Sequence, residues 1–374
     1  MLRYLTSGES HGKCLLATLE GMPAGLKIDE ARINAELSRR QMGFGRGGRM
    51  QIEQDRVEIL SGVKDGLTMG SPVALMIQNK DFKINELPKV TQPRPGHADL
   101  TGALKYAHTD IRNVLERASA RETAARVAVG ALCKIFLKEF GIESTSHVLR
   151  IGTVEADPSK LSFEEIRKNA EASEVRCADK EASKRMIEEI TKAKEEKDTL
   201  GGVYEVVVIG VPVGLGSYVH YDRKLDARLG RAILSIQAMK AAEIGDGVAG
   251  SRKRGSEVHD AIYHDPKKGF YRGSNRSGGI EGGMSSGEPI IVRAYMKPIS
   301  TLLNPLPSVD ILTKKPVKAT IERSDVCTVP AAGVIGEAVV AFEIADCFRE
   351  KFGGDSMGEI KRNYEGYLKQ IKEF

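Results

Sequence analysis

The 374-residue chain has no tryptophan, and aromatic residues make up only 5% of it. Modules that stack nucleic-acid bases need exposed rings, so this scarcity counts against single-strand binding. The five cysteines (14, 133, 177, 327 and 347) form an odd set with no CxxC pair. That excludes a disulfide framework and a zinc module of the usual spacing, and it fits a reducing cytoplasm. No apolar run approaches 18 residues, so no membrane span is expected. The opening MLRYLTSGESHGK has no apolar signal-peptide core. A Walker loop, GxxxxGK[ST], is absent. Charge of either sign is not in excess: 56 Lys and Arg stand against 51 Asp and Glu, a net of +5 that does not by itself imply nucleic acid.

What the chain does have is glycine, 39 residues of it, clustered with arginine and serine. Loops that approach a ligand closely require such residues. Hydrophobic residues at 41% are enough for a sizeable core. Length alone allows about two to three domains at roughly 150 residues each. A long, faint duplication argues instead for one domain, 1–374, of two related halves at about 1–150 and 201–374. Gly21-Met-Pro-Ala-Gly-Leu26 resembles Gly210-Val-Pro-Val-Gly-Leu215, and a helical run follows each. Residues 62–75 match 279–292 in register, with Gly70 on Gly287 and Pro72 on Pro289. Residues 14–21, 72–78, 203–210 and 289–295 read as strands. Residues 119–140 and 333–350 read as helices apolar enough to lie between layers of sheet. Ser119 and Glu122 have the form of a capping box. The charged helices of residues 155–200 read as an exposed excursion between the halves.

Several motifs could carry chemistry. Gly8-Glu-Ser-His-Gly12 sets His11 beside a carboxylate, where it can exchange a proton near neutral pH; the plain alternative is a turn with an incidental histidine. Arg39, Arg40, Arg46 and Arg49 flank a glycine-rich stretch and offer planar donors to carboxylate or phosphate. Their place after a helix, inside a globular stretch, favours a small anion over RNA. Arg94-Pro-Gly-His97 puts a second histidine in a turn, with His108 just beyond. The other histidines lack ligand-like spacing, so no metal site is expected. Arg117 to Thr123 opens a long helix, a place where free N–H groups bind anions. Arg276 to Gly287 holds four glycines within six residues and does not fit GxGxxG, so a Rossmann site is not supported. Asp346 lies in an apolar helix, where a carboxylate is costly unless partnered or functional.

Taken together, GESHG (8–12), RR…GFGR (39–46), RPGHAD (94–99), SARETAARVA (119–128), EIGDG (243–247), GGIEGGMSSG (278–287), KPIST (297–301) and VPAAGVIGEAVVAFEIAD (329–346) resemble the chorismate synthase family, in that family's order over nearly the whole chain. One stretch departs: Asn113-Val-Leu-Glu116 stands where the common family form has a glycine run. The resemblance implies an α+β fold, a β-α-β sandwich with central helices between two antiparallel sheets, internally duplicated. It implies a carbon–oxygen lyase acting on a phosphate at the last step of the shikimate pathway to aromatic amino acids. The reaction would be anti-1,4-elimination of phosphate from 5-enolpyruvylshikimate 3-phosphate, with reduced FMN and no net redox change, in a cytoplasmic homotetramer. The catalytic residues implied are His11, His97 and Asp346. Flavin contacts map to Arg117, Ala118, Ser119, Gln237, Ala238, Gly282, Lys297, Pro298, Ile299, Ser300, Thr301 and Arg323. Arg40, Arg46, Arg49 and Arg121 map to substrate or NADP contacts, with NADPH as an indirect reductant. Two rival functions are a basic binding protein without catalysis and a flavin oxidoreductase that passes hydride to its substrate.

Overall fold

The computed structural model describes residues 1–46, 54–267, 269–322 and 324–374. Arg49 and Arg323 lie outside the described residues. Two antiparallel sheets enclose a layer of helices, as the resemblance implies. The N-terminal sheet runs Arg3–Ser7, Cys14–Glu20, Val73–Gln78, Val57–Ser61 across its width. In Cys14–Glu20, Leu15, Ala17 and Leu19 are buried and the alternate residues face outward, the two-residue period of a half-covered strand. The C-terminal sheet runs Met239–Ile244, Ile290–Met296, Gly202–Ile209, Glu143–Ile151 and the short Val154–Glu155. Its central strand, Gly202–Ile209, is covered on both faces and reads accordingly as a nearly unbroken apolar run.

Between the sheets lie two long helices, Thr123–Lys138 and Val329–Phe352. Both are apolar around most of their circumference because both are packed on nearly all sides. They approach closely at Gly130. A Cβ there would stand 2.4 Å from the Cβ of Ala338, so any larger residue would force the helices apart. Pro330 sits in the first turn of the second helix, where its missing N–H costs nothing.

The two halves follow one path. If the short edge strand Val154–Glu155 is set aside and the other strands are numbered in chain order within each half, both sheets have the spatial order first, second, fourth, third. A helix joins the second strand to the third in each, Glu30–Gln41 in one and Leu225–Leu234 in the other. The matched turns are held by the same hydrogen bonds. The Leu26 N–H donates to Thr68 Oγ1 (2.9 Å), whose hydroxyl donates to the Pro23 carbonyl (2.5 Å). The Leu215 N–H donates to Ser285 Oγ (2.8 Å), whose hydroxyl donates to the Pro212 carbonyl (2.5 Å).

Three local expectations change. The first central helix begins with a 3-10 turn, Ala120–Glu122, and the capping box does not close: Ser119 Oγ accepts from the Arg121 N–H instead. Glu122 is drawn away by Arg126 (2.9 Å) and Thr6 Oγ1 (2.9 Å). The excursion is not simply exposed. Its helices, Phe163–Ala172 and Lys180–Glu195, turn Ile166, Ala170, Ala182, Met186 and Ile190 inward, and the last three join the main core. Arg39 serves the core as well. With Lys134 and Arg176 it surrounds the buried Glu337, whose carboxylate also accepts from Ser146 Oγ (2.6 Å). Burial opposes ionisation of Glu337, but these cations hold its carboxyl well below the usual range. All five cysteines are free. Among the described residues no helix is long and apolar enough to cross a membrane.

Candidate active site

The starts of both central helices open into a single cavity of about 680 Å³, within the common range of roughly 300–1,000 Å³ for ligand pockets. Ala118, Ser119, Ala120, Arg121 and Thr123 line it at the start of the first helix, and Thr328, Ala331, Ala332 and Ile335 from the second. Two helix N-termini therefore add partial positive charge to one space. The described lining carries seven Lys and Arg side chains (Arg40, Arg46, Lys83, Arg94, Arg112, Arg121 and Lys297) and four carboxylates (Asp81, Glu116, Glu322 and Asp325). An anion with several charges suits that excess.

His11 enters from the Gly8–Gly12 turn. Asn79 fastens the turn by donating to the carbonyls of Glu9 (3.1 Å) and Gly12 (2.7 Å), and its own carbonyl accepts from Arg121 Nε (2.9 Å). His11 Nδ1 lies 2.9 Å from Glu116 Oε1, and its Nε2 lies 3.8 Å from Asp81 Oδ2. Asp81 is paired in turn with Lys83 at 2.7 Å. Burial works to raise the Glu116 carboxyl, but hydrogen bonds from His11 outweigh it and hold the group below its ordinary value.

His97 is built the same way from the other side. Its Nδ1 lies 2.5 Å from Asp99 Oδ1, and Asp99 is also bound by Arg94 Nε at 2.9 Å. Here too burial opposes ionisation, and hydrogen bonds from His97 and Arg94 hold Asp99 well below the carboxylate range. Arg94 Nη1 donates to Thr301 Oγ1 (2.6 Å), tying this turn to the Lys297–Thr301 loop. Gly96 has φ +77°, and a Cβ there would touch Lys297 Nζ and Ser300 at 3.6 and 3.7 Å. Only glycine takes that backbone conformation easily beside a neighbouring loop.

Arg40 and Arg121 share Asp55, at 2.9 and 2.6 Å. One carboxylate between two guanidiniums leaves net positive charge. Burial, together with Arg121 and Arg46 nearby, pushes the Arg40 guanidinium down to about 10 against the pull of Asp55. Arg40 Nε and Gln237 Oε1 are buried with no hydrogen-bond partner among the described residues. An orphaned donor and an orphaned acceptor on one lining are what a polar ligand would satisfy.

The cavity gathers His11, His97, Arg40, Arg46, Arg121, Ala118, Ser119, Gln237, Ala238, Lys297, Ile299, Ser300 and Thr301 from the residues singled out in the sequence. It does not gather Asp346, Arg117, Gly282 or Pro298. Asp346 lies 11 residues beyond Ile335 on the same helix, about 16 Å along it at 1.5 Å per residue. It is occupied there: its carboxylate accepts from Arg228 and from the Leu2 N–H. Arg117 donates to the carbonyls of Gly8 (3.2 Å) and Thr6 (3.0 Å), so it braces the His11 turn from outside. Gly282 is the exposed tip of the Ile280–Ser285 hairpin. His108 stacks on Tyr106 and does not line the cavity.

Sequence reading missed the cavity carboxylates. Asp325, 3.4 Å from Arg46, stands in the position sought for Asp346, and its signal was the charged Arg323-Ser-Asp325 run just before the apolar helix. Glu116 lies in the stretch that departs from the family's glycine run, four residues after Arg112 and so on the same helix face.

Two sheets around paired helices, with a cationic pocket and two carboxylate-backed histidines at the helix starts, define an enzyme site of small-molecule size. The comparisons with known proteins are of one kind. The family model described as chorismate synthase matches residues 2–348. Chorismate synthases of Geobacter sulfurreducens and Symbiobacterium thermophilum are 56% and 57% identical to the chain, covering 100% and 99% of both partners respectively. A crystal structure of chorismate synthase superposes with a TM-score of 0.84 at 44% identity, covering 100% of this chain and 99% of that one. The chain belongs to the chorismate synthase family.

Proposed function

We propose that this chain is a lyase that eliminates phosphate from 5-enolpyruvylshikimate 3-phosphate to give chorismate, with reduced FMN bound in the same cavity. The observation that carries the reading is the convergence of His11 and His97, each with a carboxylate on Nδ1, on one cavity with an excess of guanidinium groups. Substrate and cofactor together bring two carboxylates and two phosphates, which match that excess. Arg40 and Arg121 suit the phosphate or carboxylate groups, because their fork geometry takes oxyanions in pairs. Ser119, Gln237 and the Lys297–Thr301 loop are the residues proposed to hold the flavin, with the orphaned Gln237 Oε1 available to accept from a ring N–H.

When bound, reduced FMN would supply an electron-rich ring that assists loss of the phosphate without net oxidation. The protein moves protons around it. His97 keeps its Nδ1 hydrogen on Asp99 and gives a proton from Nε2 to the departing phosphate oxygen. His11 keeps its Nδ1 hydrogen on Glu116 and exchanges a proton at Nε2. Asp325 receives the proton lost from C6. One C–O and one C–H bond break, one C=C bond forms, and the proton released equals the proton given, so the site returns to its starting charge. A homotetramer, with NADPH as an indirect reductant, belongs to the same reading; Leu5, Leu16 and Leu60 on the outer face of the N-terminal sheet are exposed and would be covered in an assembly. The test is anaerobic incubation with photoreduced FMN and substrate, following product absorbance. A flavin oxidoreductase would instead consume one NADPH per turnover and form no chorismate.

A further inference from the structure

Glu116 makes three hydrogen bonds to a single turn. Its carbonyl accepts from the Ser10 N–H (2.9 Å), its Oε2 from the His11 N–H (2.7 Å), and its Oε1 lies 2.9 Å from His11 Nδ1. The side chain is nearly buried, and Arg112, one helical turn earlier, is ion-paired with Glu322 at 2.9 Å. An ionised carboxylate only accepts hydrogen bonds. Oε1 lies within hydrogen-bond reach of Nδ1, whereas Asp81 Oδ2 stands 3.8 Å from Nε2, beyond that reach, so a neutral imidazole carries its hydrogen on Nδ1 and presents an unprotonated Nε2 on the cavity side. Two backbone bonds fix the height of the turn, and the side-chain bond fixes the rotation of the ring.

We infer that Glu116 is the positioning residue of His11, setting its tautomer and aiming Nε2 at the reacting molecules. The inference rests on the reaction proposed above for the meaning of its kinetic effect, but not for the tautomer itself. Partners of this kind typically change activity by about 10–100-fold when removed from a histidine that must keep one orientation.

The experiment uses the full chain with 15N-labelled histidine, at a pH where the imidazole is neutral. The wild type should show His11 protonated at Nδ1. In Glu116→Gln the amide can still accept from the His11 N–H but can offer an N–H to Nδ1, so the ring should switch to the Nε2–H form. With reduced FMN and substrate, that variant should lose ~10–100-fold in kcat with little change in KM. Its melting temperature should stay near the wild-type value, and Glu116→Asp should recover less than half of the loss, being one methylene short. An Nε2–H signal in the wild type overturns the inference whatever the variants do. So does a Gln variant with a switched tautomer and unchanged kcat. A wild type that shows the Nδ1–H form yet makes no chorismate would overturn the proposed reaction and leave the positioning role standing.

Discussion

Arg228 and Asp346 join two helices by a partly buried ion pair. Arg228 also binds Glu343 at 3.0 Å and Glu350 at 3.3 Å, so one guanidinium spans three carboxylates at positions i, i+3 and i+7 of the second central helix. That spacing places all three on one face. Burial opposes the Arg228 charge, but Cys347, Glu343 and Asp346 beside it raise the guanidinium above its ordinary value. The arrangement ties Leu225–Leu234 to the helix layer and explains how a carboxylate survives among AVVAFEIA. Asp346→Asn should therefore lower stability, by about 1–3 kcal/mol, because Glu343 and Glu350 still compensate Arg228 when the Asp346 carboxylate is gone. Turnover per folded molecule should stay within a few-fold. Urea unfolding and turnover on the same sample decide it; full stability with lost turnover would return Asp346 to the chemistry.

Asp325 should behave in the opposite way. It lines the cavity and is partly exposed beside Arg46. Asp325→Asn should leave the melting temperature nearly unchanged and reduce kcat by ~10²–10⁴-fold, the range for lost acid–base catalysis. A variant that turns over normally would remove it from the proton path.

His11→Ala and His97→Ala should each cost ~10²–10³-fold in kcat. Both histidines sit in turns held by other residues, Asn79 for one and Arg94 with Asp99 for the other, so circular dichroism should show folded protein. Near-normal rates in either variant would contradict the role given to that histidine.

Acid should act on the His97 turn in a defined direction. Burial alone would raise the Asp99 carboxyl, but its bonds to His97 and Arg94 leave it depressed in the folded chain. A depressed folded value means that the stabilisation is complete above the unfolded value, about 3.9, and is lost as pH falls toward the folded one. The wild type should therefore be more stable than Asp99→Asn at pH 7, and the gap should shrink on going from about pH 5 to pH 3. Urea midpoints of both proteins at the two pH values measure this; a gap that widens in acid would contradict it.

Much of the fold was legible because period and punctuation are local. The alternation in Cys14–Glu20 and the unbroken apolar run of Gly202–Ile209 need only their own residues to be read. The likeness of the two turns was legible because Thr68 and Ser285 make the same hydrogen bonds in them. The cavity's two histidines stood out through their turns, GESHG and RPGHAD, although each motif alone also fits a turn with an incidental histidine. What was not legible depends on direction and distance. Asp346 and Asp325 look alike in a sequence, yet one faces Arg228 and the other the cavity. Arg39 and Arg40 are adjacent, yet about 100° of helix turn separates them, and one serves Glu337 while the other serves Asp55. The excursion misled because its buried stripe is narrow: Ala182, Met186 and Ile190 among charged residues.

The reaction proposed for the His11–His97 cavity is an elimination without net redox change. Its most direct measurement is an anaerobic reaction of the chain with photoreduced FMN and 5-enolpyruvylshikimate 3-phosphate deuterated at the C6 hydrogen that leaves. Phosphate and chorismate would be counted together. The expected result is one phosphate per chorismate, loss of the label from the product, many turnovers per flavin, and no NADPH consumed once the flavin is reduced. Product formed at one reducing equivalent per turnover, or phosphate released without chorismate, would contradict it.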